Sequence, residues 1–141
     1  MEYTDYDTRL AAYAVILDGP REQVLLALWN EVAEPLWTLP GGGVELHESV
    51  EEATVREVRE ETGYDVALGP LLGVQTLVVP PERRRSGNPR WLRQVHVAFE
   101  ATVTGGRLTA EVDGTTDEAR WFPLADVRDL PRVEQVRRFV G

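Results

Sequence analysis

Three glutamates, Glu57, Glu60 and Glu61, follow closely on the run Leu39-Pro40-Gly41-Gly42-Gly43. At about 100° per residue on a helix they fall within an arc of roughly 100° that also holds Val50 and Ala53, which aims the acids at the protein side. Carboxylates gathered and partly buried repel one another and need a positive partner. Arg56 lies one turn before Glu60 and can pair with one glutamate, while Arg59 points to the opposite side. A hard divalent cation answers all three, because Mg²⁺ takes oxygen ligands and keeps positions for water and substrate phosphate. Consecutive glycines let the backbone approach a ligand and present its polar groups to metal or phosphate. The competing reading, a solvated and salt-bridged helix face, is the commoner meaning of a Glu/Arg-rich segment. Acids sitting with small apolar residues, and glycines directly ahead, count against it.

The element that must hold these groups is marked at both ends. Ser49 with Glu52 makes a capping box and Gly63 supplies a left-handed stop, so the pattern predicts a helix over about residues 50 to 62.

The stretch from Gly42 to Tyr64 resembles the signature of the Nudix hydrolases, G-x5-E-x7-R-E-U-x-E-E-x-G-U with U bulky and apolar. Gly42, Glu48, Arg56, Glu57, Val58, Glu60, Glu61, Gly63 and Tyr64 fill its fixed positions in register, which makes the match specific. Tyr64 stands where an aliphatic residue is usual, and His47 where glycine is common; neither touches the carboxylates. The resemblance implies an α/β/α sandwich with a mixed β-sheet between helices, an α+β arrangement. It also implies hydrolysis of a nucleoside diphosphate linked to another moiety: a nucleoside triphosphate, ADP-ribose or a nucleotide sugar. By the same resemblance Glu57 and Glu61 hold the metal with Glu60 beside them, and a backbone carbonyl of the glycine loop, Gly41, completes the set. Arg56 orients the glutamates, and these four side chains form the catalytic group. Glu48 reaches the edge of the site, with a structural or a second-metal role open. In this family the general base is a box glutamate or an acid from a later loop. Glu118 is the first choice for that later acid and metal ligand, ahead of Asp113, Asp117 and Glu111. The cofactor implied is Mg²⁺, with Mn²⁺ as the alternative ion.

Arg83-Arg84-Arg85 offers guanidinium forks that match phosphate oxygens, against the commoner reading of a solvated charge run. Of Trp29, Trp37, Trp91 and Trp121, one at most is expected to touch ligand, since tryptophans mostly serve the core. His96 reads as structural.

The chain has 141 residues, a formal net charge of −9 and no cysteine, and all 15 of its basic residues are arginine. That length fits one domain over residues 1–141 with a core of its own. The acidity excludes non-specific binding to a nucleic-acid polymer, which needs a basic surface. Acidity does not exclude anionic substrates once a bound cation inverts the local field. No apolar run is long enough to span a membrane and no secretory signal is visible, so a soluble cytoplasmic protein is expected. The expected partner is a small-molecule nucleotide; a homodimer stays open.

Strands are expected over Leu10–Leu17 and Gln23–Trp29, paired as a hairpin across Asp18-Gly19-Pro20-Arg21. Leu36–Leu39 is a short strand that delivers the glycines. Asp65–Val79 reads as one strand continuing into another across Gly69-Pro70, Pro80–Arg90 as a loop, and Trp91–Thr104 as the cleanest alternation in the chain. Short strands are expected over Arg107–Val112 and at Arg120-Trp121-Phe122, with an acidic loop over Asp113–Glu118. Helical turns follow at Pro123–Asp129, and a terminal helix lies within Pro131–Val140.

Two other functions compete. A non-catalytic nucleotide-binding module of the same fold would be expected to lose a box glutamate, and none is lost. An isomerase of allylic diphosphates commonly needs a cysteine, and there is none. For substrate, Pro80 and Pro81 narrowly miss the proline position of ADP-ribose hydrolases, and Val66–Arg90 lacks the tyrosine of dinucleoside polyphosphate hydrolases.

Overall fold

The computed structural model describes residues 1–140. Helix α1 covers Val50–Thr62, as its end signals predict. The Ser49 side chain accepts from the Glu52 amide, the Glu52 carboxylate accepts from the Ser49 amide, and Gly63 stops the helix at φ 81°. This reciprocal cap satisfies two amides that a helix start otherwise leaves bare.

The strands are β1 (Asp7–Ile16), β2 (Gln23–Trp29), β3 (Leu36–Thr38), β4 (Gly41–Gly43), β5 (Tyr64–Val79), β6 (Leu92–Gly106) and β7 (Thr116–Pro123). They form a mixed sheet in the order β4-β1-β6-β5, with β1 and β6 parallel, and an antiparallel sheet in the order β3-β2-β7. The hairpin expected of β1 and β2 does not form. Both edges of β1 are occupied, by β4 and β6, and β2 pairs with β3 and β7, so only a bridge between Leu17 and Val24 joins the two strands. Two further expectations change. The glycine run is itself a strand, β4, and residues 107–112 carry none, because β6 runs on to Gly106 and β7 begins as early as Thr116. Segment Tyr64–Val79 is one strand with register shifts around Gly69-Pro70.

Each face of β1 is apolar, which a strand buried between two layers requires. Ala14 and Ile16 pack with Leu25, Ala101, Ala119 and Val58 of α1. Tyr13 and Val15 on the other face pack with Val24, Leu26 and Trp37, under Val127 of the 3₁₀ turn Leu124–Asp129 and Val136 of α2 (Glu134–Phe139). Helical segments therefore cover both faces, giving the mixed α/β/α arrangement anticipated from the box.

The C-terminal segment is stitched to β3. Trp37 donates its amide to Pro131 and accepts from the Val133 amide. The Gln135 side-chain oxygen accepts from Leu39 N at 3.1 Å and Thr38 Oγ1 at 3.0 Å. This sets the position of Leu39-Pro40, and hence of the glycines that follow. Among the described residues no helix is long and apolar enough to cross a membrane.

Candidate active site

A cleft of about 650 Å³ takes its walls from both sheets, α1 and the arginine loop. Glu57 and Glu61 line it beside Gly41, Gly42 and Gly43. Glu61 is only 4% exposed. Its Oε2 accepts from the Gly41 amide at 3.0 Å. Burial pushes the Glu61 carboxyl well above its ordinary range; the Gly41 amide opposes this, and the charges of Glu57 and Glu111 add to it. Burial likewise raises Glu57, against the lowering influence of Arg56.

The close fit depends on glycine. Gly41 has φ 151°, and a Cβ built there would fall 2.6 Å from the Tyr13 backbone. A Cβ on Gly42 would meet the Glu57 carboxyl carbon at 2.8 Å, the movable end of a long side chain. Gly42→Ala is therefore expected to fold while displacing the Glu57 carboxylate by about 1 Å, which costs roughly 10²-fold in turnover. Steady-state kinetics beside a thermal melt would check this, with kcat/KM falling while Tm stays close to that of the wild type.

Arg56 gathers the remaining acids. Its Nε and Nη2 bind the two Glu48 oxygens at 3.0 and 2.6 Å, Nη1 reaches Glu57 Oε1 at 3.0 Å and Glu60 Oε2 at 3.3 Å, and Nη2 also donates to the Gly43 carbonyl at 3.2 Å. It thus serves three glutamates, more than the one its spacing predicts. Glu48 also accepts from the Glu45 amide, and the Arg56 bond foremost holds its carboxyl down at about 2. Both Glu48 oxygens are thus committed within the protein, and Glu48 does not line the cleft.

Two expected ligands, Glu60 and Glu118, do not line the cleft. Glu60 has a half-exposed side chain, 51%, turned toward Arg56. The buried stripe of α1 is Ala53, Thr54, Val58, Glu61 and Thr62; Glu60 lies past its edge, about 100° from Glu61. Glu118 sits within β7 opposite Leu28, paired with Arg120, and does not line the cleft. Strand β7 takes up residues expected in a loop and carries Glu118 away. Among the later acids, Glu111 bears by its charge on both Glu57 and Glu61, and its Oε1 accepts from Thr116 Oγ1 at 3.1 Å. Gly41 enters the site through its amide, on Glu61.

Among the described residues no three Asp, Glu, His or Cys side chains are drawn together tightly enough to cage a metal. A buried carboxylate and a half-buried one, both of raised pKa, with a third acid in electrostatic reach, still fit Mg²⁺. That ion commonly uses one or two protein carboxylates and leaves its other positions to water and phosphate.

All three loop arginines line the same cleft. Arg84 is held by Asp7 at 2.8 Å and the Arg90 carbonyl at 2.8 Å, so it braces the loop. Arg85 stacks 4.7 Å from the centre of the Trp29 ring and donates to the Glu31 carbonyl at 3.1 Å. Trp29 is thus the tryptophan at the site, and with Arg9, Tyr13, Gln94 and His96 it lines a surface that sequence reasoning did not assemble. No local spacing links these residues; β-sheet register brings them together.

His96 is 6% exposed, and its Nε2 lies 2.8 Å from Gln94 Oε1. Burial, helped by the Arg9 charge, lowers its pKa to about 4. A depressed histidine stabilises the fold above its unfolded value near 6.5, and that contribution drains away as pH falls toward 4. Wild type is expected to lose about 3 kcal/mol over this window relative to His96→Gln. Urea titrations of both proteins at pH 7 and pH 4.5 would measure the difference.

The sequence pattern of the NUDIX domain matches residues 7–140. Over 111 residues, 78% of this chain and 63% of the relative, the protein is 39% identical to a Bacillus subtilis protein provisionally named an 8-oxo-dGTP diphosphatase. It is 36% identical over 124 residues to an ADP-ribose pyrophosphatase of Methanocaldococcus jannaschii, covering 85% of this chain and 66% of that one. The chain therefore spans less than two thirds of the length of each. Among solved structures, a NUDIX hydrolase from Nitrosomonas europaea superposes with a TM-score of 0.77 at 22% identity, covering 95% of this chain and 86% of that one. The MutT NUDIX hydrolase of Burkholderia pseudomallei does so with 0.73 at 26% identity, covering 95% and 96%.

Proposed function

Since this chain belongs to the NUDIX hydrolase family, we propose that it hydrolyses a phosphoric anhydride in a nucleoside diphosphate linked to a further group, with Mg²⁺ or Mn²⁺ as cofactor. The observation that carries this reading is the pair Glu57 and Glu61, held in raised-pKa surroundings against a glycine strand and in one cleft with the arginine loop. Oxygen ligands of this kind suit a divalent cation, which would polarise phosphoryl oxygens and offset charge on the leaving phosphate.

The chain's own residues divide the remaining work. Arg56 fixes the Glu57 carboxylate, and the Gly41 amide fixes that of Glu61. Glu111 is the acid we assign to accept a proton from the attacking water, because its charge bears on both helix glutamates from a separate loop. Arg83 and Arg85 bind the distal part of the substrate, and the Trp29 face offers a stacking surface beneath Arg85.

The test is a panel of nucleoside triphosphates, ADP-ribose and nucleotide sugars, assayed for released monophosphate with Mg²⁺ and again with chelator. At least one substrate should turn over, and chelator should stop it. A panel that stays intact with Mg²⁺ present would remove the enzymatic reading.

A further inference from the structure

Arg9 lies on β1 and lines the cleft, yet among the described residues it makes no ion pair. Its charge is therefore not spent inside the protein, although acids surround the cleft. Arg84 is consumed by Asp7, and Arg85 is shared with Glu31. Glu48 and Glu57 are consumed by Arg56.

Its place relative to the glycines is specific. Side chains alternate across a strand, so successive positions of β4 look to opposite faces. At Gly42 the space a Cβ would take is filled by Glu57; at Gly43 the neighbour is Arg9 Nη2, 3.3 Å away. The bare glycine edge thus separates the carboxylates on one side from a guanidinium on the other. The nearly buried Tyr13 lines the same cleft as Arg9 and Gln135, and the Arg9 charge bears on its hydroxyl. Gln135 is itself fixed to Thr38 and Leu39. Arg9 is exposed, with Gly43 and the buried Tyr13 as its neighbours on the cleft wall.

We infer that Arg9 and the Gly43 edge form a phosphate subsite, gripping the phosphoryl group on the side of the glycine strand away from Glu57 and Glu61. This rests on the diphosphate reading given above. A diphosphate laid over β4 would meet cation on both sides, through the carboxylate-held ion and through the planar fork of Arg9. Arg9 would then touch substrate directly, and Tyr13 would position it.

Methylenediphosphonate, which does not hydrolyse, is the probe, titrated calorimetrically with Mg²⁺ into wild type, Arg9→Ala and Arg9→Lys; Mn²⁺ binding alone is followed by electron paramagnetic resonance. Arg9→Ala should weaken the diphosphonate about 10- to 100-fold, the range of one charge-assisted hydrogen-bonding group. Its Mn²⁺ affinity should be unchanged, and Arg9→Lys should recover part of the loss. The subsite is overturned if Arg9→Ala binds diphosphonate like wild type, if it loses Mn²⁺ in parallel, or if wild type binds no diphosphonate. A wild type that binds the probe through Arg9 but cleaves nothing in the panel would instead sink the hydrolase reading and leave the subsite standing.

Discussion

Glu61→Gln is expected to lower kcat/KM by about 10³-fold while leaving the metal-free protein more stable than wild type at pH 8. The loss follows from removing a charged ligand whose cation supplies several kcal/mol to the transition state. The gain follows from the sign of the pKa shift. A carboxyl raised by burial stabilises the fold fully only below its unfolded value near 4.5, and that stability is lost as pH climbs through the higher folded value. Glutamine stays neutral at pH 8 and keeps an oxygen for the Gly41 amide, so it escapes that loss. Adding Mg²⁺ should raise the Tm of wild type, since a ligand bound only by the folded state stabilises it, and should leave the variant's Tm nearly where it was. Scanning calorimetry at pH 8 with and without metal, beside the kinetic assay, would decide. A variant that melts below wild type without metal would refute the burial argument.

Arg56→Met should cost both stability and activity. The methionine keeps much of the stem but leaves Glu48, Glu57 and Glu60 crowded without their shared cation. Breaking a buried ion pair typically costs 3–5 kcal/mol; with the guanidinium 28% exposed, about 2 kcal/mol is expected here. Activity should fall about 10²-fold as Glu57 loses its fixed orientation. Arg56→Lys should recover less than half of the stability, because a single ammonium cannot reproduce the two-pronged grip on Glu48. The pH dependence gives an independent readout. Glu48, held down at about 2, stabilises above its unfolded value near 4.5 and ceases to do so as pH falls toward 2. That acid sensitivity should disappear in Arg56→Met, which denaturant melts at pH 5 and pH 3 would show.

What could be read from the chain, and what could not, divides by range of interaction. Helix α1 was legible to the residue because its cap, its stop and its first-turn acids are all local. The same locality made Glu57, Glu61 and Arg56 legible as a group. The inner stripe was placed slightly off, since Thr54 and Thr62 were not counted among its buried members, and Glu60 was drawn in with it. Threonine hides well here because the hydroxyls of Thr54 and Thr62 bond back to the Val50 and Val58 carbonyls at 2.7 Å. Strand partners obeyed no such local rule. The parallel register of Tyr13 with Ala98 and Leu10 with Val95 joins residues far apart in the chain, so neither the failed β1–β2 hairpin nor the meeting of Arg9 with Gly43 was visible in any short window. Glu118 was expected in a loop for a related reason: its place in β7, opposite Leu28, depends on pairing with a strand distant in the chain, and it does not line the cleft.

The stitching of the C-terminal segment to β3 has a dynamic consequence. The Trp37 and Leu39 amides find their acceptors in Pro131 and Gln135, so each can trade its proton for deuterium only when that segment lifts off. Protection at these two sites therefore gauges, from the far end of the chain, how often the wall beside the glycines comes undone. Ligands that tighten the cleft should slow exchange there without touching either residue.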